Sequence, residues 1–295
     1  MTMAASPGDV TLTSTTTATV ITAGTAGIAS ADSSEAVDRR PFPTRRILHV
    51  AGQGISRWWA VALVLVVWQL WVQMTGFNSI VLPTPADVAV DIVTNPGAYA
   101  GDTARTVLLA LLGISVGMTI GVGVAVMTWA SPLIAGLASP LVLMMRSIPI
   151  VAIIPVIARL VGYGNQIVPI VTILLAFFPA YVMTTSGLRS APATSIDMFT
   201  ALGASRRCML RRLLIGSAMP NITVALRLSA SSAVLAAMVA EFLAGTTGLG
   251  RLFATARTRF DNERAWGAAV IATVASVIFF QLALKIERTV RARYR

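Results

Sequence analysis

The chain is 295 residues long, 56% hydrophobic and 12% charged, with a mean hydropathy of +0.77. A soluble domain runs at roughly 45–50% apolar and about 25% charged, so this composition excludes one and places most of the chain in lipid. The formal charge of +11 comes from Arg and Lys exceeding Asp and Glu by 23 to 12; in a membrane protein that excess marks cytoplasmic loops rather than a nucleic-acid surface. The only cysteine, Cys208, leaves no partner for an intrachain disulfide, and with the single His49 it argues against a His/Cys metal centre.

Residues 1–45 form a zone of their own, rich in Thr, Ser and Ala, with no basic residue before Arg39. A charged n-region and an apolar h-region are both missing, so the segment reads as a disordered cytoplasmic tail rather than a secretory signal. A basic run from Arg39 to Arg57 then precedes the first hydrophobic stretch.

A helix needs about 20 apolar residues to cross the hydrocarbon core. Six stretches qualify, near 58–77, 105–129, 134–158, 166–187, 222–243 and 265–285. None shows the short alternating segments of a β-barrel, so the expectation is an all-α polytopic membrane protein with six transmembrane helices. Placing the N-terminus inside puts fifteen Arg and Lys residues on the inner side and six on the outer, which favours both termini in the cytoplasm. The transmembrane region is taken as 46–290, with 291–295 a cytoplasmic C-terminal tail.

Two segments outside the spans have helical signatures. Pro83-Thr84-Pro85 opens a candidate helix over 83–100, and 244–263 combines several glycines with an amphipathic continuation, as in a surface or re-entrant helix. Within the spans, Gly113, Gly117 and Gly121 recur every four residues, and the fifth span carries the small-residue rows Ser229-Ala233-Ala237 and Ser232-Ala236-Ala240. Such rows allow close helix packing within the chain, or line a pathway or a subunit interface.

Ionisable groups inside lipid are costly and mark function or pairing. Arg146 lies deep in the third span and suits a pathway role, an intramembrane ion pair or a snorkel. Arg227 opens the fifth span, where interfacial snorkelling accounts for it. Glu241, near the outer end of that span, suits a pair with an outer-loop Arg or the rim of a gate. Pro149, Pro155, Pro169 and Pro179 would kink their helices. A Walker A loop is absent, because the one Lys, Lys285, is followed by Ile286; no HExxH motif is possible with one histidine.

The loop of about 190–220 carries the most specific pattern. It reads as two short helices hinged at Gly203-Ala204-Ser205. Phe199 and Leu202 give the first an apolar face, and Met209, Leu210, Leu213 and Leu214 give one to the second. Arg206, Arg207, Arg211 and Arg212 line the other side. Such a loop lies on the membrane surface or docks as a helix in a partner's groove.

This loop resembles the signature of the inner-membrane permease subunits of binding-protein-dependent ATP-binding-cassette (ABC) importers, which runs Glu-Ala-Ala, three residues, Gly, nine residues, Ile, one residue, Leu-Pro. Gly203 matches its glycine, Leu213 its Ile and Ile215 its Leu. Asp197 stands for the Glu, Met198 and Phe199 for the two alanines, and Gly216 for the Pro, while Pro220 follows nearby. The resemblance extends over about residues 80–290. Val81-Leu82-Pro83-Thr84-Pro85, Arg146-Ser147-Ile148-Pro149 and the run from Ala240 to Gly250 are similar to the branch importing sulfonates, taurine, nitrate and related solutes.

The resemblance implies a type I ABC importer permease fold in the cytoplasmic membrane. Its implied partners are a second permease subunit (identical or not), two ATPase subunits inside, a solute-binding protein outside, and membrane lipid. No cofactor is expected on this chain, ATP being hydrolysed by the partner. Asp197, Met198, Phe199, Leu202, Gly203, Ala204, Arg206 and Arg207 are the implied ATPase-coupling residues, and Arg146 and Glu241 the pathway candidates for a small polar solute, anionic solutes included. A secondary carrier and a non-transporting assembly subunit are the rival readings, although the inverted repeats of the former are not visible.

Overall fold

The computed structural model describes the backbone of residues 44–76, 78 and 81–294, and within that range the side chains from residue 59 onward except Leu143 and Arg146. The expected tail lies outside the described residues as far as position 43. The described residues from Arg57 onward form one compact unit. Among the described residues there is no strand.

Helix α1 (Thr44–Thr75) carries the first apolar stretch. Trp59, Val64 and Trp71 are exposed, as suits a lipid face, while Val72 is buried and the Trp68 ring lies 5.0 Å from that of Trp266. Helix α2 (Pro85–Thr94) starts where the sequence pattern places it. Thr84 accepts from the Asp87 N–H at 3.2 Å, and the Asp87 carboxylate accepts from the Thr84 N–H at 3.3 Å, a reciprocal capping box. The expected helix over 83–100 is divided at Asn95, because Pro96 starts a new helix, α3 (Pro96–Ala130), nine residues ahead of the expected span.

The third hydrophobic stretch is two helices, α4 (Pro132–Ser147) and α5 (Ile150–Val161). Pro149 offers no N–H and disfavours the helical region for Ile148, which is extended at φ −86°, ψ 123°. Helix α6 (Ile167–Arg189) follows, then α7 (Ala193–Ala201). The second loop helix is not a separate element. A short α8 (Arg206–Met209) passes through a π turn (Leu210–Leu214) directly into α9 (Ile215–Ala244), giving one helical run from Arg206 to Ala244. Pro220 sits inside that run without ending it. Helices α10 (Leu249–Thr258) and α11 (Asn262–Arg293) complete the chain; α11 runs past the boundary expected at 290.

Among the described residues, four helical runs are long and apolar enough to cross a membrane: Pro96–Ala130, Ile167–Arg189, Arg206–Ala244 and Asn262–Arg293. Trp59–Thr75 and the pair Pro132–Val142 and Ile150–Val161 supply shorter apolar helices where the first and third spans were expected. The fold is that of an all-α polytopic membrane protein. Its centre is the packing of α6 on α3 and α9, with α11 behind α9. The glycine ridge of α3 serves this packing: a Cβ at Gly117 would lie 2.6 Å from the Ile173 carbonyl oxygen, and one at Gly121 would lie 2.6 Å from the Ala180 Cβ. On α9, Ser229, Ala233, Ala237, Ala236 and Ala240 are all buried, so both rows make intrachain contacts.

Candidate functional site

The densest polar cluster is built around Glu241, whose side chain is buried at 0% exposure in the last turns of α9. Its position in the sequence suggested a pair with an outer-loop Arg. Among the described residues its partners are instead the Thr106 hydroxyl on α3, 2.9 and 2.8 Å from the two carboxyl oxygens, and the Gly250 N–H at 3.0 Å. Thr106 also accepts from the Leu249 N–H at 2.9 Å, and Asp102, one turn earlier on α3, accepts from the Gly248 N–H at 2.8 Å. The first turn of α10 and the loop before it are thereby pinned to α3.

From the other side, Asn165 in the α5–α6 loop accepts from the N–H groups of Thr246 and Thr247 at 3.1 and 3.2 Å, and its amide donates to the Thr247 hydroxyl. Arg105 reaches that hydroxyl at 3.1 Å rather than the carboxylate. Gly248 has φ +102°, and a Cβ there would lie 2.3 Å from the Glu241 carboxyl carbon. The glycine is therefore required twice, by the backbone angle and by the side chain stacked against it. The run from Glu241 to Gly250 is a self-consistent unit that ties neighbouring ends of α3, α6, α9 and α10 together.

A second cluster lies beside it. Asp91, buried on α2, accepts from the Tyr99 hydroxyl, from Asn95 Nδ2 at 2.8 Å and from Arg264 Nη2 on α11 at 3.4 Å. Burial alone would raise its carboxyl, but the Tyr99 and Asn95 hydrogen bonds and the Arg264 charge outweigh it and hold the group below its ordinary 3.8. A depressed carboxylate contributes stability above its unfolded-state value, and that contribution is lost as pH falls through the folded-state value. We expect the unfolding temperature of the detergent-solubilised protein to fall more steeply below about pH 4 in the wild type than in Asp91→Asn. Parallel pH curves for the two proteins would show the cluster to be energetically silent.

At the other end of the bundle, Arg227 does not snorkel. Its Nε lies 3.1 Å from Glu287 Oε2 on α11, and Arg291 Nη2 lies 3.0 Å from Glu287 Oε1. The Arg227 guanidinium also stands 6.0 Å from the Phe280 ring centre. Glu287, buried, was missed in the sequence; its one local signal is the i, i+4 spacing to Arg291.

The loop expected to couple to an ATPase divides into a seated part and an offered part. Met209, Leu210, Leu213 and Leu214 pack with Leu188, Ala191 and Ala218, as their spacing implies, and Ile196 of α7 joins them. The rest of α7 is open. No α7 residue is buried, Asp197 is exposed, Phe199 half-buried, and Met198 and Leu202 are 60% and 74% exposed. Helix α7 ends in a Schellman motif: the Ala204 N–H reaches the Phe199 carbonyl at 3.0 Å and the Gly203 N–H the Thr200 carbonyl at 3.0 Å, with Gly203 at φ +67°. Ser205 then caps the next helix by accepting from the Cys208 N–H at 3.3 Å, leaving Arg206 and Arg207 exposed in its first turn.

Arg146 lies in the last turn of α4, immediately before the break at Ile148-Pro149; its side chain lies outside the described residues. Beside the break, Met145, Ile148, Ile157, Val171 and Phe178 line an apolar cavity of about 550 Å³.

Residues 113–292 match the family described as the binding-protein-dependent transport system inner membrane component. The chain belongs to this family. It is a transport permease subunit of the ABC class, and the secondary-carrier and assembly-subunit readings are not favoured. Among curated relatives, the formylaminopyrimidine transport permease ThiX of Halalkalibacterium halodurans is 25% identical over 76% of this chain and 90% of its own length. The riboflavin transport system permease RibX of Chloroflexus aurantiacus is 30% identical over 77% and 85%, and the taurine transport system permease TauC of Escherichia coli 25% identical over 74% and 82%. The fold is similar to that of the inward-facing MetNI methionine ABC transporter, with a TM-score of 0.57 and 20% identity over 65% of this chain and 95% of that one. Within this permease, the matched region includes the open α7, its Gly203 cap and the whole of α9 and α10, with nearly all of α11.

Proposed function

We propose that this permease moves a small polar solute inward across the cytoplasmic membrane by alternating access, driven through α7 by a cytoplasmic ATPase subunit. The observation that carries the reading is the geometry of α7. A capped helix anchored by Ile196 presents Met198 and Leu202 beside Asp197, Arg206 and Arg207, an apolar centre with a charged rim, as a partner's groove requires. ATP binds and is hydrolysed on the partner, and this chain needs no cofactor of its own. Two copies of the permease, or this chain and a related one, complete the pathway, and a solute-binding protein delivers the solute from outside. The named relatives carry a pyrimidine, a flavin and a sulfonate, so the shared class is a small polar organic solute. The test is reconstitution with a cognate ATPase and solute-binding protein: ATP-dependent uptake supports the reading, and uptake without the ATPase contradicts it.

Orientation follows from the same proposal. In a Cys208→Ser background, Asn95→Cys should react with an impermeant thiol reagent from outside and Thr289→Cys only after the membrane is opened. The reverse labelling would invert the topology and remove α7 from the ATPase side.

Arg146 is the pathway candidate, placed at the break in the third span. If it meets an anionic solute, Arg146→Gln should reduce uptake per assembled complex about tenfold or more, the worth of one charge-assisted hydrogen bond. Unchanged uptake per complex would take Arg146 out of the pathway. Glu241, enclosed by Thr106 and Gly250, is proposed to act as a brace of the outer gate rather than as a solute contact.

A further inference from the structure

At the far end of α3 from Glu241, a cavity of about 300 Å³ lies between the α3–α4 turn and the last turns of α6. Among the described residues its only charged lining residue is Arg189, and no carboxylate lines it. The Ser139 and Tyr181 hydroxyls on its wall stand 3.3 Å apart. They share one hydrogen bond, which leaves one of their two hydroxyl hydrogens unspent. Arg189 and Ser139 stand exposed at its mouth, whereas Tyr181 is buried in its wall. Pro132 and Ala135 form another wall, so the first turn of the 16-residue α4 borders the cavity with its positive dipole end. Each of these unspent groups can donate, and the net field is positive.

We propose that this cavity binds a small oxyanion, a phosphate or sulfonate group held by Arg189 with the spare hydroxyl hydrogen of the Ser139–Tyr181 pair. The group arrives on an anionic lipid headgroup or as a free anion; both present the same tetrahedral oxygens. The indole of Trp129 lines the cavity and reports on it. Trp129 and Leu188 also belong to the cluster that seats Ile196 of α7, so an occupant bears on the base of that helix. This last consequence rests on the role proposed for α7; the binding itself does not.

The test uses the full-length permease in phosphatidylcholine nanodiscs, with tryptophan fluorescence read during titration with inorganic phosphate, and separately in nanodiscs containing phosphatidylglycerol. Trp129→Phe assigns the signal among the six tryptophans. A saturable change with phosphate identifies a free-anion site, and a change only with phosphatidylglycerol identifies a headgroup site. In either case Arg189→Gln should weaken binding about tenfold or more while Arg288→Gln leaves it intact. No Trp129-dependent change with either probe, or an unchanged response in Arg189→Gln, would overturn the proposal. Tyr181→Phe, which keeps the ring and removes the hydroxyl, provides a second variant: it should weaken binding without lowering the unfolding temperature.

Discussion

Replacing Gly248 by Ala should disable the permease more completely than any substitution on its lipid face. The new Cβ would stand 2.3 Å from the Glu241 carboxyl carbon at a backbone φ of +102°, so either the loop or the carboxyl must move. Backbone strain of this kind costs about 1–3 kcal/mol. Displacing the carboxyl leaves the Gly250 N–H without its partner, which costs about 1–3 kcal/mol more. A loss of that size is a large share of the stability of an ordinary domain. We expect Gly248→Ala to lower the unfolding temperature and to abolish uptake even where some protein is inserted. Glu241→Gln keeps an acceptor for Gly250 and should be milder than Glu241→Leu, which strands the Gly250 N–H and leaves the Thr106 hydroxyl only the Asp102 carbonyl, 3.0 Å away, to donate to. Equal behaviour of the Gln and Leu variants, measured as unfolding temperature and uptake per complex, would show that the hydrogen bonds of this cluster do not hold this end of the bundle.

Why the cluster was only half legible in the sequence is a matter of distance along the chain. A buried acid near the end of an apolar helix is visible at once, and so are the glycines after it. Its chief partner, Thr106, lies 135 residues away, and no local period connects them. Arg105, which charge alone would have chosen, points to Thr247 instead. The same holds for Arg227, whose partner Glu287 looks like one more charge in a basic C-terminal stretch until α11 is packed against α9. Hydropathy placed the apolar stretches well, because the need to bury about twenty residues in lipid is a local property. It also joined α4 to α5 across Pro149, since hydropathy averages over a break that one missing N–H creates. The coupling loop was the opposite case: Gly203 at a turn, apolar residues at helical spacing and basic residues between them are all local signals, and α7 with its Schellman cap follows them closely. The merger of the second loop helix into α9 escaped because hydropathy starts the fifth span only near 222, whereas the π turn at 210–214 carries the helix on from Arg206 to Ala244.

Gly203→Val should separate assembly from function. Gly203 has φ +67°, and a Cβ added there would meet no atom within 4 Å, so the substitution causes no clash. It acts through the backbone alone, where a β-branched residue in the left-handed region costs about 1–2 kcal/mol or more. That is enough to dissolve a nine-residue helix held to the rest of the chain mainly by Ile196. Nothing of α7 is buried in the transmembrane core, so insertion and the unfolding temperature of the spans should stay near wild type. We expect loss of ATPase association, or of ATP hydrolysis coupled to uptake, by about tenfold or more, the equivalent of the same free energy. Gly203→Asn, which tolerates the left-handed conformation better, should retain a measurable part of both. Normal association in Gly203→Val would mean that the shape of α7 is irrelevant to the partner.

Helix α7 is the surface proposed for the ATPase. A photoactivatable cross-linker placed at position 198, where Met198 is 60% exposed, tests it directly in native membranes, with the same group at position 64 on the lipid-facing side of α1 as the control. An adduct is expected between position 198 and an ATP-binding-cassette subunit, weakened in Gly203→Val and absent at position 64. Co-purification of that subunit with no adduct at 198 would contradict it.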